Sequence, residues 1–227
     1  MTALHSLQGS IMPIAKSSMR DQVRRALTER ILAGHYQPGD RLIELQIARE
    51  LGTSQGPVRE ALRDLEASRL VESEPRRGTR VRKVSLREMR DAYFVRGVLE
   101  EAAATTAAKS FQGDVEGLRA ESMAILRAAE AGDFAEQAAH VYAFHHAVVA
   151  ASGNGVLLRL FESLALEIRV RVRLGWGAIN LARAASSYEA ILNALERGDG
   201  PAAGRLLREH VEAIAPPASE EPDCRGS

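Results

Sequence analysis

Gln55, Arg59 and Arg63 recur at i, i+4 and i+8, which puts an amide and two guanidinium groups on one side of a helix whose other side carries Val58, Leu62 and Leu65. Such a face suits the major groove of a duplex, where amides and guanidinium groups read base edges while the apolar side seats the helix on its domain. Ser54 stands where it can cap this helix, and the helix N-terminus can also receive a phosphate. The turn Gly52-Thr53-Ser54-Gln55-Gly56-Pro57 is short enough to fix the crossing angle with the preceding helix, which carries Arg49. Arg76 and Arg77, in the tip Pro75-Arg76-Arg77-Gly78, add cations suited to phosphate contacts. The competing reading is a solvated face on which Arg59 and Arg63 pair with Glu60, Asp64 or Glu66. The arginine-bearing tip weighs against it, because an ordinary surface helix needs none.

A second set lies further along. Tyr93, Arg96, Glu100, Ala103 and Ala107 share one stripe at alternating three- and four-residue spacing, with small alanines beside the charges. Arg96 can hold a carboxylate ligand through two hydrogen bonds, or pair with Glu100 at i, i+4; the residues leave both open. His145 shares a stripe with Val141 and Val148, Tyr188 with Leu192 and Leu195, and His210 with Leu206 and Ile214, so three polar rings face one core. Ligand contacts, a metal site and hydrogen-bonded packing are the alternatives for them. The histidines have no HExxH pattern, nucleophile elbow or paired carboxylates beside them, so no catalytic residue is assigned. A metal-assisted hydrolase and a helical module that docks a protein remain the rival functions.

The elements that must position these residues follow from periodicity. Val23, Ala26, Leu27 and Ile31 predict a helix over about 18–33, ended by Gly34; a turn at Gln37-Pro38-Gly39-Asp40 precedes a short helix with Leu45, Ala48 and Leu51 inward. The reading helix comes next, then β-prone runs at 70–74 and 79–84 around the glycine tip. Ser85-Leu86-Arg87-Glu88 is a capping box. Beyond it the periodicity is helical throughout, over about 86–110, 114–131, 133–151, 155–174, 178–184, 186–197 and 200–215. The expected fold is mainly α: a winged helix-turn-helix over 17–84, then an all-helical bundle over 85–215, with a flexible arm at 1–16 and a flexible tail at 216–227. Arg169, Arg171 and Arg173 are read as a solvated run, and Trp176, between Gly175 and Gly177, as closing its helix against the bundle.

Composition agrees with two folded domains. With 45% hydrophobic and 26% charged residues and no long apolar span, the chain is neither a disordered tail nor a membrane protein, and a cytoplasmic location is expected. The lone Cys224 can form neither an intrachain disulfide nor a thiolate metal cluster. The formal charge of zero hides an asymmetry: residues 17–84 hold 14 Lys and Arg against 10 Asp and Glu, and residues 85–227 hold 15 against 20. A basic head on an acidic body suits a polyanion-binding module joined to one with another task.

The stretch RRALTERILAGHYQPGDRLIELQIARELGTSQGPVREALRDLEASRLVESEPRRGTRV resembles the winged helix of the GntR family of bacterial transcription regulators. YFVRGVLEEAAATTAA and FHHAVVAASGNGVL resemble the helical FCD-type effector domain of its FadR-like branch. The resemblance implies a homodimeric regulator, repressor or activator, on a near-palindromic operator. It further implies a small effector, an organic acid by the role of the residue matching Arg96, with His145, Tyr188 and His210 as further effector contacts.

Three positions depart from the family pattern. Gln55 stands where relatives carry arginine, which predicts preference for adenine over guanine at one operator position. Ile43 replaces a hydroxyl N-cap, and Arg69 a glycine at the end of the reading helix. Related domains also hold a divalent metal through one aspartate and three histidines, places that fall here on Val141, His145, Tyr188 and His210. Only two are histidine, and His140 and His146 lie roughly 140° and 100° around the helix from His145. The expectation is a site that requires no metal, with a divalent ion as the alternative.

Overall fold

Ser18 opens the first helix by accepting a hydrogen bond from the Asp21 amide at 3.1 Å, and α1 (Met19–Leu32) then buries Val23, Leu27 and Ile31. The computed structural model describes residues 18–83, 85–173 and 181–215, with the side chains of 166–173 and 181–186 outside that description. The arm 1–16, Trp176 with its flanking glycines, the tail with Cys224 and the side chains of Arg169, Arg171 and Arg173 therefore lie outside the described residues.

The architecture is mainly α with a small N-terminal sheet. After α1 come β1 (Arg41–Leu42), α2 (Glu44–Glu50), α3 (Gln55–Ala67), β2 (Val71–Glu74) and β3 (Gly78–Val81). The sheet order is β1-β3-β2, all antiparallel, with Leu42 opposite Thr79 and Val71 opposite Val81. The hairpin was legible; β1 was not, since two residues after a turn carry no periodicity. Val23, Leu27, Ile31, Ile47, Val58, Leu62, Leu65 and Val81 form one core beneath helices and sheet. Leu45 is a correction: it is 46% exposed, and the seven-residue α2 buries Ile47 in its place beside the expected Ala48, because that phase faces α3.

The Ser85 capping box forms as expected, the Glu88 amide donating to the Ser85 hydroxyl at 3.2 Å and the Ser85 amide to Glu88 at 2.9 Å. It starts α4 (Leu86–Ala107), which packs against α6 (Phe134–Ala151), α7 (Gly155–Arg173) and α9 (Gly200–Ala213). A 3-10 turn, Ala108–Phe111, replaces the predicted end of α4, and α5 (Glu116–Glu130) leads to α6. Where two segments were expected at 178–184 and 186–197, one helix, α8, spans Leu181–Glu196. Its start, Leu-Ala-Arg-Ala-Ala, has high helix propensity and no breaker before Ser186. Asp133 and Asp199 cap α6 and α9 with their carboxylates. On α9, Gly200 and Gly204 let the helix lie directly on α4: a Cβ at Gly204 would sit 2.7 Å from the Glu101 carbonyl oxygen and press on the Thr105 hydroxyl.

Arg69 adopts φ +57 where the chain leaves α3, a left-handed conformation that costs an L side chain roughly 1–2 kcal/mol. Glycine removes that strain and adds roughly 0.5–1 kcal/mol of unfolded-state entropy. Arg69→Gly is expected to stabilise the protein by about 0.5–1 kcal/mol. The urea midpoint should rise at unchanged slope; a fall would contradict the strain.

Candidate functional site

The candidate site residues fall into two groups, one on the surface and one buried. At the surface, Gly52 (φ +62) reverses the chain after α2, and its amide and that of Thr53 close the helix on the carbonyls of Arg49 and Ala48 at 3.3 and 2.9 Å. Ser54 then sits at the N-cap of α3 in extended conformation, but its hydroxyl makes no capping bond. That corrects the expected capping and leaves the hydroxyl beside first-turn amides that lack intrahelical acceptors. Gln55, Gly56, Arg59 and Arg63 are all exposed on this helix, while Val58, Ala61, Leu62 and Leu65 are buried.

Arg59 is ion-paired, though to neither Glu60 nor Glu66. Its Nε donates to both oxygens of Glu44 at 3.0 and 3.1 Å, and its Nη2 donates to Glu44 Oε2 at 2.7 Å. The pair raises the Arg59 pKa and lowers that of Glu44. Arg59 nevertheless stays 56% exposed on its side chain, so water screens the pair and a polyanion can reach the cation. Among the described residues Arg49, Arg63 and Arg76 make no ion pair, whereas Arg77 pairs with Glu74 at 3.0 Å within the wing tip. Arg76 at φ +65 and Gly78 at φ +80 turn the tip, with Gly78 held against the Arg41 guanidinium. Neither the Glu44 contact with Arg59 nor the Arg41 contact with the wing tip was read in the sequence: both depend on how neighbouring elements cross.

The buried group centres on α4. Arg96 (5% exposed) and Glu100 (0%) form the anticipated i, i+4 pair, Arg96 Nε donating to Glu100 Oε1. The other carboxylate oxygen accepts from Nδ1 of His145 on α6, a partner 45 residues away that helical spacing does not reveal. Tyr188 on α8 places its hydroxyl 3.5 Å from His145 Nε2, and His210 on α9 packs its ring 4.5 Å from that of Tyr188 and 5.3 Å from that of His145. Ser187 Oγ lies 2.6 Å from His210 Nδ1, while His210 Nε2 is buried without a hydrogen-bond partner. The Arg96 guanidinium carbon lies 5.6 Å from the Phe161 ring centre and 6.0 Å from that of Tyr93, within reach of cation–π attraction. The structure thus brings together all four effector candidates, Arg96, His145, Tyr188 and His210, and adds Glu100 as their hub.

Charge in this cluster is set by burial and by Arg96. Burial would raise the Glu100 carboxyl, but Arg96 and then His145 outweigh it and hold the group down at about 2, so Glu100 is ionised. Burial lowers His145, Arg96 adds to the effect, and the ring stays neutral despite Glu100. Burial, then His145, pushes His210 down to about 3, and burial raises the Tyr188 hydroxyl.

The donors do not fit the divalent ion that the family likeness implies. Half-buried Val141 supplies no carboxylate, Tyr188 offers a phenol in place of an imidazole, and both Glu100 oxygens are already engaged by Arg96 and His145. Among the described residues no group of three His, Cys, Asp or Glu is arranged to hold a metal.

Comparison with known proteins bears on both groups. Residues 19–81 match the family described as "Bacterial regulatory proteins, gntR family", and residues 91–213 match "FCD domain". A Paenarthrobacter nicotinovorans protein named "Probable D-xylose utilization operon transcriptional repressor" is 36% identical over 203 residues, covering 89% of this chain and 90% of that one. The "HTH-type transcriptional repressor GlaR" of Escherichia coli K12 is 27% identical, covering 82% and 90%. The solved structure "E. coli McbR/YncC" superposes with a TM-score of 0.74 at 26% identity, covering 86% of this chain and 94% of that one.

The buried histidines make stability depend on pH. Native His210, with its pKa lowered to about 3, stays neutral where the unfolded imidazole, at 6.5, takes up a proton. Its contribution is therefore complete above pH 6.5 and lost as pH falls toward 3, at about 1.4 kcal/mol per pH unit. In chelator-treated protein His210→Gln should flatten the fall in unfolding free energy between about pH 6 and 4 by one proton's worth. An unchanged slope would show that His210 titrates normally in the fold.

Proposed function

The chain belongs to the GntR family of bacterial regulatory proteins, with an FCD domain, and is a DNA-binding transcription regulator; we propose that α3 and the wing read its operator and that a small molecule at the buried cluster alters that affinity. The observation that carries the first half is the division of α3. Val58, Leu62 and Leu65 are entirely inward, while Gln55, Arg59 and Arg63 are presented to solvent beside an arginine-tipped hairpin. Arg49, Ser54, Gly56, Arg76, Arg77 and Gly78 are assigned to phosphate and backbone contacts, and Gln55 to an adenine through its N6 and N7. Glu44 holds the Arg59 guanidinium in a fixed plane until DNA competes for it.

Relatives named as repressors support repression as the sense of regulation, and the name of one of them points to a sugar-utilization operon. The working unit is a homodimer on two half-sites. Phe94, Val95 and Val98 on α4 and Val156 and Leu160 on α7, helices that pack on each other, are 40–59% exposed and offer the apolar surface for a second copy. A monomer by sedimentation at operator-saturating concentration would contradict that assembly. The cluster binds its ligand without turnover and without metal; one stoichiometric ion, lost in His145→Ala, would contradict the metal-free reading. No helix among the described residues is long and apolar enough to cross a membrane.

Selection from random duplexes tests the reading surface. It should return a near-palindrome with adenine at the Gln55 position, a preference that Gln55→Ala abolishes. Arg63→Ala should weaken binding roughly 10- to 100-fold and reduce its dependence on salt. Wild-type binding without sequence preference, or a site unaffected by either change, would contradict the assignment.

A further inference from the structure

The buried side of α2 is formed by Ile47 and Ala48, and its two borders carry different residues. On one border Glu50 pairs with Arg30 of α1 and accepts a hydrogen bond from Gln46, so that border faces the first helix. On the other lies Leu45, which leaves 46% of its surface to solvent, with Arg49 exposed one turn further along the same stripe. Glu44, the residue before Leu45, reaches across to α3 and accepts from the Arg59 guanidinium at 2.7 Å. Leu45 therefore sits between two of the cations assigned to DNA. It takes no part in the core beneath the head, to which this helix and its C-cap contribute Ile47, Ala48 and Leu51. Among the described residues of the head, 18–83, the exposed large hydrophobic side chains are Met19, Ile43 and Leu45, so two of the three flank Glu44.

An isobutyl group gains nothing from phosphates, which need donors and positive charge. In the major groove, however, thymine presents an apolar group of its own, the C5-methyl, and apolar side chains recognise it by contact. Such a contact withdraws hydrocarbon of both partners from water. Resting on the assignment of α3 and the wing to operator DNA, we propose that Leu45 is a further specificity-determining residue, which reads one thymine of each half-site through its C5-methyl. Two helices then share the reading: α3 supplies amide and guanidinium groups for polar base edges, and the outer border of α2 supplies the apolar group.

The test uses the full chain and the operator recovered by selection from random duplexes. Each thymine in turn is replaced by deoxyuridine, which removes the C5-methyl and leaves every hydrogen-bonding group in place, and binding is measured by fluorescence anisotropy at fixed salt. At one thymine per half-site the replacement should weaken wild-type binding by about fourfold, the effect of withdrawing one methyl-sized group from burial. Leu45→Ala, a change at an exposed position, should keep the wild-type urea midpoint and bind the thymine and deoxyuridine duplexes equally at that position. Deoxyuridine effects that persist unchanged in Leu45→Ala overturn the proposal. So does a uniform loss of affinity for all duplexes in Leu45→Ala, which would place the side chain against the sugar-phosphate backbone. In both cases the operator itself leaves the assignment of α3 intact. Wild-type binding without any sequence preference contradicts that assignment and this inference together.

Discussion

A carboxylate with no exposed surface constrains this structure more than any other group. Glu100 accepts from Arg96 on its own helix and from His145 on α6, so one side chain fixes the facing surfaces of α4 and α6. Leaving Arg96 out would strand a buried charge, a penalty larger than the net stabilisation of most complete ion pairs, and leaving His145 out would strand a buried carboxylate oxygen without its donor. The rings of Tyr188 and His210 then close over the pair from α8 and α9. Four helices thus meet on polar contacts inside an otherwise apolar bundle, where Phe144, Val148, Ile191, Leu192 and Leu207 supply the hydrophobic packing.

The same helix touches the head of the molecule. Glu88, which caps the start of α4, also pairs with Arg82 just beyond β3, and the Arg82 amide donates to the Leu70 carbonyl between α3 and β2. One helix therefore carries the buried ion pair and an anchoring contact to the chain segment behind the wing. The reading helix itself is seated by apolar burial on its inner side; of its outer polar groups Arg59 meets Glu44, Asp64 meets Arg20 and Glu66 accepts from the Ser73 amide, whereas Arg63 makes no ion pair among the described residues.

Residues whose partners lie one or two turns away were legible in the sequence. The inward face of α3, the capping box at Ser85 and the Arg96–Glu100 pair all follow from spacing of three or four. Contacts that depend on how elements cross were not. Glu44 reaches Arg59 across two helices, β1 exists only because β3 passes beside it, and Glu100 meets His145 only once α4 and α6 are packed. Leu45 was misplaced because a seven-residue helix gives too few apolar positions to fix its phase. Of the site, the sequence yielded the polar rings and the arginine; the charge balance among them required the fold.

The central claim, that an ionised Glu100 holds a neutral His145 in one tautomer, is open to direct measurement by NMR of protein labelled with 15N in histidine. Between about pH 5 and 8 one imidazole should keep its proton on Nδ1, bonded to a carboxylate, and show an unprotonated Nε2 that does not titrate. That signal should vanish in His145→Gln. An imidazolium assigned to His145 at neutral pH, or a proton on Nε2 in its place, would contradict the account of the buried cluster.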